Sequence, residues 1–156
     1  MVIHVETAFI GAPPERVFDY RLDARNLPLY NPDVSRVELL DGGPVTAGSP
    51  VGGPSSADTR YAFRLRLAPW LHCRCCMRVT RAERPRRIEF AIDSIMDAHE
   101  LCTFEPAGAG QAGTRLRFSI RVRGTLGPLA PLLRALVLAP QMRRELRMMK
   151  AQIESQ

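Results

Sequence analysis

The sequence predicts an α+β domain in which a curved antiparallel sheet of about seven strands wraps around one long C-terminal helix. Three observations carry that prediction. From Leu129 to Ile153 the apolar residues fall at Leu129, Leu132, Leu133, Leu136 and Val137, then at Met142, Leu146, Met149 and Ile153. Those steps of three and four are the period of an amphipathic helix. Upstream, most segments alternate apolar with polar residues, as a strand with one dry and one wet face does. The order is strand, two short helices, a run of strands on short turns, then helix, and short turns favour an antiparallel meander over parallel crossovers.

Taken in order, Ile3 to Ile10 is a first strand, with Ile3, Val5 and Phe9 as its apolar partners. Gly11-Ala-Pro-Pro14 ends it, and Pro13 or Pro14 opens a helix through Tyr20 whose buried face is Val17 and Phe18, with Arg21 and Leu22 near its end. Asp23 is an N-cap for a second short helix over Ala24 to Leu27, stopped by Pro28. Tyr30-Asn31-Pro32 turns the chain into a strand from Val34 to Leu40. Asp41 to Ser56 is rich in Gly, Pro and Ser and reads as a long mobile loop. Tyr61, Phe63, Leu65 and Leu67 then alternate with arginines and Ala62, and Pro69-Trp70 breaks that strand. Cys73, Cys75, Met77 and Val79 form the dry face of the next, and Glu83 to Arg86 turns into Ile88 to Ile92. His99 to Phe104 is a further strand ending at Pro106. The turn from Ala107 to Gly113 leads to Leu116, Phe118, Ile120 and Val122, which alternate with arginines in the clearest strand of the chain. A kink is expected near Ala139–Pro140, because proline removes a backbone donor and crowds the preceding turn.

At 156 residues the chain is one domain, residues 1–156, large enough to bury a core without metal or disulfide staples. No apolar run reaches the ~20 residues that span a bilayer. The N-terminal stretch has neither a basic nor an apolar signal region, so the expected location is cytoplasmic. The net charge of +6 rests almost wholly on arginine, with Lys150 the only lysine. With thirteen prolines and many alanines and glycines, that bias resembles the stamp of a GC-rich coding sequence.

Several motifs invite a chemical reading. His72-Cys73-Arg-Cys75-Cys76 resembles a zinc cluster, but zinc wants four convergent ligands from spaced pairs. On a strand, Cys73 and Cys75 share one face and Cys76 takes the other, so buried cysteines packing as small hydrophobes are expected and no metal. The four cysteines Cys73, Cys75, Cys76 and Cys102 lay out no disulfide framework either. His99-Glu100 begins a zincin motif, yet Thr103 stands where the second histidine belongs, and on a strand only one of the two residues can face inward. Arg64, Arg66, Arg74, Arg78, Arg117, Arg121 and Arg123 lie on the polar side of their strands, the solvated face of a one-sided sheet. That face interleaves no aromatics for base stacking, so no nucleic acid partner is expected.

The order of elements, together with Ile10-Gly-Ala-Pro-Pro-Glu-Arg-Val-Phe18, Asp23 to Pro32, Val37-Glu38, Phe104-Glu-Pro106, Gly113 to Leu116 and Leu146 to Lys150, resembles the START/Bet v 1-like (SRPBCC) superfamily. Within it, the chain is most similar to the bacterial polyketide cyclase/dehydrase and lipid-transport group. The resemblance implies a helix-grip fold with a ligand cavity between sheet and C-terminal helix. That group often carries tryptophan where Cys102 and Tyr30 stand here, which implies a larger cavity and a hydroxyl near its mouth.

On this basis the chain is expected to bind a hydrophobic or aromatic small molecule: a polyketide, a lipid or an isoprenoid-like compound. The residues expected around it are Tyr30, Asn31, Tyr61, Phe63, Cys75, Met77, Phe90, Glu100, Cys102, Phe118, Leu136 and Met142. Tyr30, Asn31 and Tyr61 would orient a polar end, and the junction at Pro140 would border the cavity. No cofactor is expected. The alternative is a cyclase, aromatase or dehydratase acting on an intermediate held by an acyl carrier protein. That chemistry requires a convergent acid/base set, such as Tyr or Glu paired with an inward arginine. A third reading has the basic sheet face docking an acidic protein.

Overall fold

The computed structural model describes residues 1–41, 59–95, 97–108, 112–123 and 134–156. Seven antiparallel strands form one sheet in the order β1-β7-β6-β5-β4-β3-β2. They are β1 (Val2–Ile10), β2 (Val34–Asp41), β3 (Arg60–Ala68), β4 (Leu71–Glu83), β5 (Arg87–Asp93), β6 (Asp97–Pro106) and β7 (Thr114–Arg123). From β2 to β7 each strand pairs with the next in sequence, and β1 closes the far edge on β7. Helix α1 (Pro14–Leu22) follows β1, and α2 (Leu27–Tyr30) follows a 3-10 turn over Ala24–Asn26. A π-helical segment, Arg134–Leu138, runs into the long helix α3 (Ala139–Glu154).

Helix α1 starts where it should, with Pro14 in a first turn that needs no amide donor, Glu15 beside the positive helix end and Arg21 beside the negative one. Asp23 caps the 3-10 turn by accepting from the Arg25 amide. Pro28 does not stop this segment as expected. It sits in the first turn of α2, the one place where a helix tolerates proline at no cost in hydrogen bonds.

The inner face of the sheet, α1 and α3 share one core. Helix α3 buries Met142, Leu146, Met149 and Ile153, each worth roughly 1.5–3 kcal/mol of transfer free energy. Its C-terminal end is tied down by polar contacts: Glu154 accepts from the Gly11 amide, Arg16 donates to the Ile153 carbonyl, and Lys150 donates to the Phe9 carbonyl. Pro140 falls in the first turn of α3, so what marks this point is a change from π to α geometry. The expected helical residues Leu129, Leu132 and Leu133 lie outside the described residues, as do residues 42–58, which hold most of the expected loop, and residues 109–111.

Strand β1 corrects one expectation. Ile3, Val5 and Phe9 are about two-fifths exposed, while His4 and Ile10 are buried. The register opposite β7 places Ile3 beside Arg121 and Phe9 beside Arg115, on the outer arginine-bearing face. Apolar content alone therefore picked the wrong face of β1. The seven arginines of the ladder are all exposed, as a one-sided sheet requires.

Candidate functional site

The site grows from three elements that each carry a charged or polar residue on an otherwise apolar inner face. On α1 the buried positions are Val17, Phe18, Arg21 and Leu22, so Arg21 stands one helical turn beyond Val17 and Phe18 and is fully buried. On β6 the two-residue period turns Glu100 and Cys102 inward and leaves His99 exposed. On α3, Glu145 lies three residues after Met142 and four before Met149, inside the apolar stripe, and is 6% exposed. Asn31, the C-cap of α2, completes the group.

These residues meet. Arg21 Nη2 donates to Glu100 Oε2 in a short charge-assisted bond, and Nη1 donates to the Tyr30 hydroxyl at 3.3 Å. The guanidinium also lies over the rings of Phe90, at 4.8 Å, and Phe118, at 5.6 Å. Across the core, Asn31 Nδ2 donates to Glu145 Oε2 at 3.2 Å, while Asn31 Oδ1 accepts from the Asp33 amide at 3.1 Å. The second bond fixes the orientation of the Asn31 amide, because only its oxygen can accept from a backbone N–H. Glu145 Oε1 and Arg21 Nε have no hydrogen-bond partner among the described residues.

One arginine thus faces two carboxyl groups in a medium that resists charge. Burial works against the Arg21 charge, but Tyr30 and Glu100 outweigh it and hold its pKa above the ordinary value. Burial likewise raises the Glu100 carboxyl, and its contact with Arg21 opposes that. Glu145 has no cation in contact among the described residues. Burial, with the nearby Glu100 charge adding to it, carries its pKa up to about 7. Burial also raises the Tyr30 hydroxyl and pushes the Cys102 and Cys75 thiols up to about 12. Protonated thiols are poor nucleophiles and poor metal ligands. Among the described residues no group of three or more His, Cys, Asp and Glu side chains could hold a metal ion.

Between the sheet and α3 lies a cavity of about 160 Å3. Its wall is mostly apolar, from β3, β4, β7 and the start of α3, and Glu100, Glu145, Asn31 and Gln141 are among its few polar side chains. An apolar cavity of ~150 Å3 is known to take one benzene ring, so this one matches a single-ring ligand or part of a longer one.

Of the residues expected from sequence, Asn31, Phe63, Cys75, Met77, Glu100, Phe118 and Met142 line this cavity. Tyr30, Tyr61, Phe90 and Cys102 do not: each is fully buried behind the wall. For Tyr30 this corrects the expectation of a hydroxyl near the mouth, because its oxygen accepts from Arg21 inside the core. Leu136 is also misplaced. It is 66% exposed and lines a shallow outer groove beside Pro140, since the π-helical segment presents it outward; its neighbours Val137 and Leu138 reach the cavity. The π–α junction does border the cavity, through Leu138 and Gln141. Glu145 and Arg21 were not anticipated. Their signal was present in the sequence, as charged residues at apolar-stripe positions of two helices.

The pattern of the family described as polyketide cyclase/dehydrase and lipid transport matches residues 1–154. Among solved structures, a START superfamily protein from Mycobacterium smegmatis superposes with a TM-score of 0.78 at 12% identity, covering 98% of this chain and 97% of that one. TTHA0849 from Thermus thermophilus gives 0.73 at 21% identity, with 98% and 97% covered. Ara h 8.0201 gives 0.65 at 11% identity, with 99% of each chain covered. At these identities the likeness speaks for the fold. No curated protein matches the sequence.

Proposed function

Because this chain belongs to the polyketide cyclase/dehydrase and lipid transport family, we propose that it binds a hydrophobic or aromatic small molecule between the sheet and α3. The observation that carries this reading is the cavity itself. Its wall is mostly apolar, and Glu100, Glu145 and Asn31 are among the few polar groups on it. Such a site desolvates an apolar body and leaves one polar end to be oriented. A polyketide, a lipid or an isoprenoid fits that description, with its ring or chain end against Phe63, Met77, Phe118 and Met142. In this reading the protein works in the cytoplasm. Native mass spectrometry of the purified protein tests it: a co-purifying mass in the small-molecule range, lost on solvent extraction, is expected. Apo protein alone, with no added aromatic hydrocarbon bound, would contradict it.

A second reading is favoured by a specific observation. Two buried carboxyl groups on the cavity wall, one of them paired with the inward Arg21, are the residue types that acid/base chemistry in a cyclase or dehydratase requires. In that reading the intermediate arrives on an acyl carrier protein. Turnover of a carrier-bound polyketide, abolished in Glu145→Ala, would establish it.

A further inference from the structure

Strand β4 carries two thiols whose chemistry neither reading uses. Cys73 and Cys75 stand two residues apart, so both project from the inner face of the strand, and both line the cavity. Their sulfurs lie 3.7 Å apart. Cys76 takes the opposite face of the strand and Cys102 is fully buried behind the wall, so neither belongs to this pair.

The spacing selects what the pair can hold. Alternate residues of a strand are about 6.6–6.8 Å apart at Cα, close to the limit a disulfide spans, and their Cβ atoms run parallel. The strand would have to bend before the two sulfurs could bond each other. Two sulfurs that share one atom at about 2.3 Å each, with bond angles from about 90° to about 109°, stand roughly 3.3–3.8 Å apart. The pair on β4 already has that span. A tetrahedral metal ion would need two further ligands, and among the described residues no group of three or more His, Cys, Asp and Glu side chains could supply them. A three-coordinate centre that brings one bond to carbon needs only the two sulfurs. Burial, with Cys73 beside it, pushes the Cys75 thiol up to about 12, so the partner has to take up a thiol proton as well. Trivalent arsenic bearing one organic group and two hydroxyls meets each of these demands.

We propose that Cys73 and Cys75 form a dithiol clamp for trivalent organoarsenicals of the form R–As(OH)2, with the organic group R seated in the cavity. Each thiol replaces one hydroxyl: an As–S bond forms, an As–O bond breaks, and the thiol proton leaves with the hydroxyl as water. Arsenic stays trivalent, no oxidant or reductant enters, and the chelate is neutral, which an apolar wall favours. Cys73 is half-buried and the more open of the two, so it reacts first; Cys75, already in contact with its sulfur, closes the ring. Phe63 and Leu65, opposite the two cysteines on β3, and Met77, next in the row, flank the organic group. A phenyl ring matches the cavity volume of about 160 Å3. The clamp shares the cavity of the binding reading but not its ligand.

Phenylarsine oxide, which hydrates to the phenyl member of this class, is the probe. Mass spectrometry of the wild-type protein is expected to show one phenylarsenic adduct per chain, and thiol titration of the denatured adduct to find two fewer free thiols. The adduct should withstand glutathione, a monothiol, and yield to dimercaptopropanol, a dithiol. Cys73→Ser and Cys75→Ser should each weaken binding by about a hundredfold or more, since no second sulfur closes the ring, while Cys76→Ser leaves it unchanged. Methylarsonous acid, with the same two exchangeable hydroxyls and a smaller organic group, should bind about tenfold more weakly because it buries less apolar surface. An adduct that glutathione removes, or that survives Cys73→Ser intact, overturns the proposal. So does equal affinity for the methyl and phenyl compounds, which would put the organic group outside the cavity. None of these results bears on uptake of an aromatic hydrocarbon, which tests the binding reading by itself. If Cys75→Ser fails to fold, Cys73→Ser and the thiol count in the wild-type protein still decide.

Discussion

The buried charges make the sharpest demands on single residues. Arg21, fully buried, is the only cation in contact with Glu100 among the described residues, so removing it leaves an uncompensated carboxylate inside the core. Arg21→Leu is expected to destabilise the protein by about 3–5 kcal/mol, and the double change Arg21→Leu/Glu100→Leu to recover most of that loss. Chemical denaturation of the two variants checks both. Glu145 has the opposite character. The native state raises its pKa from 4.5 to about 7, so between those values the folded protein keeps a proton that the unfolded chain has released. Stability therefore falls as pH rises from about 4.5 to about 7 and levels off above, the contribution being on the order of 3 kcal/mol. Glu145→Gln should flatten that slope and be the more stable protein at about pH 8. A wild-type stability curve that rises with pH across this window would show that Glu145 is ionised throughout.

At the scale of elements, the periods in the sequence carried most of the information. The strand periods of β3, β4 and β7 named their inner faces correctly through Phe63, Cys75, Met77, Leu116 and Phe118, because an antiparallel sheet with one covered face enforces a period of two. Strand β1 escaped that logic. It carries apolar residues on both faces, and only its pairing with β7 decides which face is inside. The site's charged members escaped for a different reason: an arginine and a glutamate on a helix read as surface residues unless their place in the apolar stripe is weighed above their charge. The same stripe makes Met149 a core residue with no exposure, and Met149→Ala should cost about 2–5 kcal/mol. Trp70, in the turn between β3 and β4, is 83% exposed, and Trp70→Ala should change stability by less than about 0.5 kcal/mol. Thermal unfolding of the pair measures how far burial, and not residue size, sets these effects. Gly113 is a third case. Its φ is +155°, and a Cβ there would meet the Ile10 carbonyl oxygen and the Phe9 ring at 2.7 Å, so this close approach of β1 needs the missing side chain.

The whole molecule is a sheet gripping a helix with a small unfilled volume between them. Its architecture was legible before any coordinates, because strand order, short turns and one long amphipathic helix leave few topologies open. The polar interior was less legible, since which charged residues meet is a property of three elements packed together. Most of the cavity wall is apolar, and Glu100 and Glu145 are the carboxyl groups on it. Met77 and Met142 line the cavity from β4 and α3, while Met1 is exposed and is not among the lining residues. That arrangement permits a direct test by methyl NMR of protein labelled at methionine, titrated with ethylbenzene. If the cavity takes an apolar ligand, the Met77 and Met142 methyl resonances shift together and saturably, and Met1 stays in place. Resonances of Met77 and Met142 that do not move at saturating ethylbenzene would contradict the account.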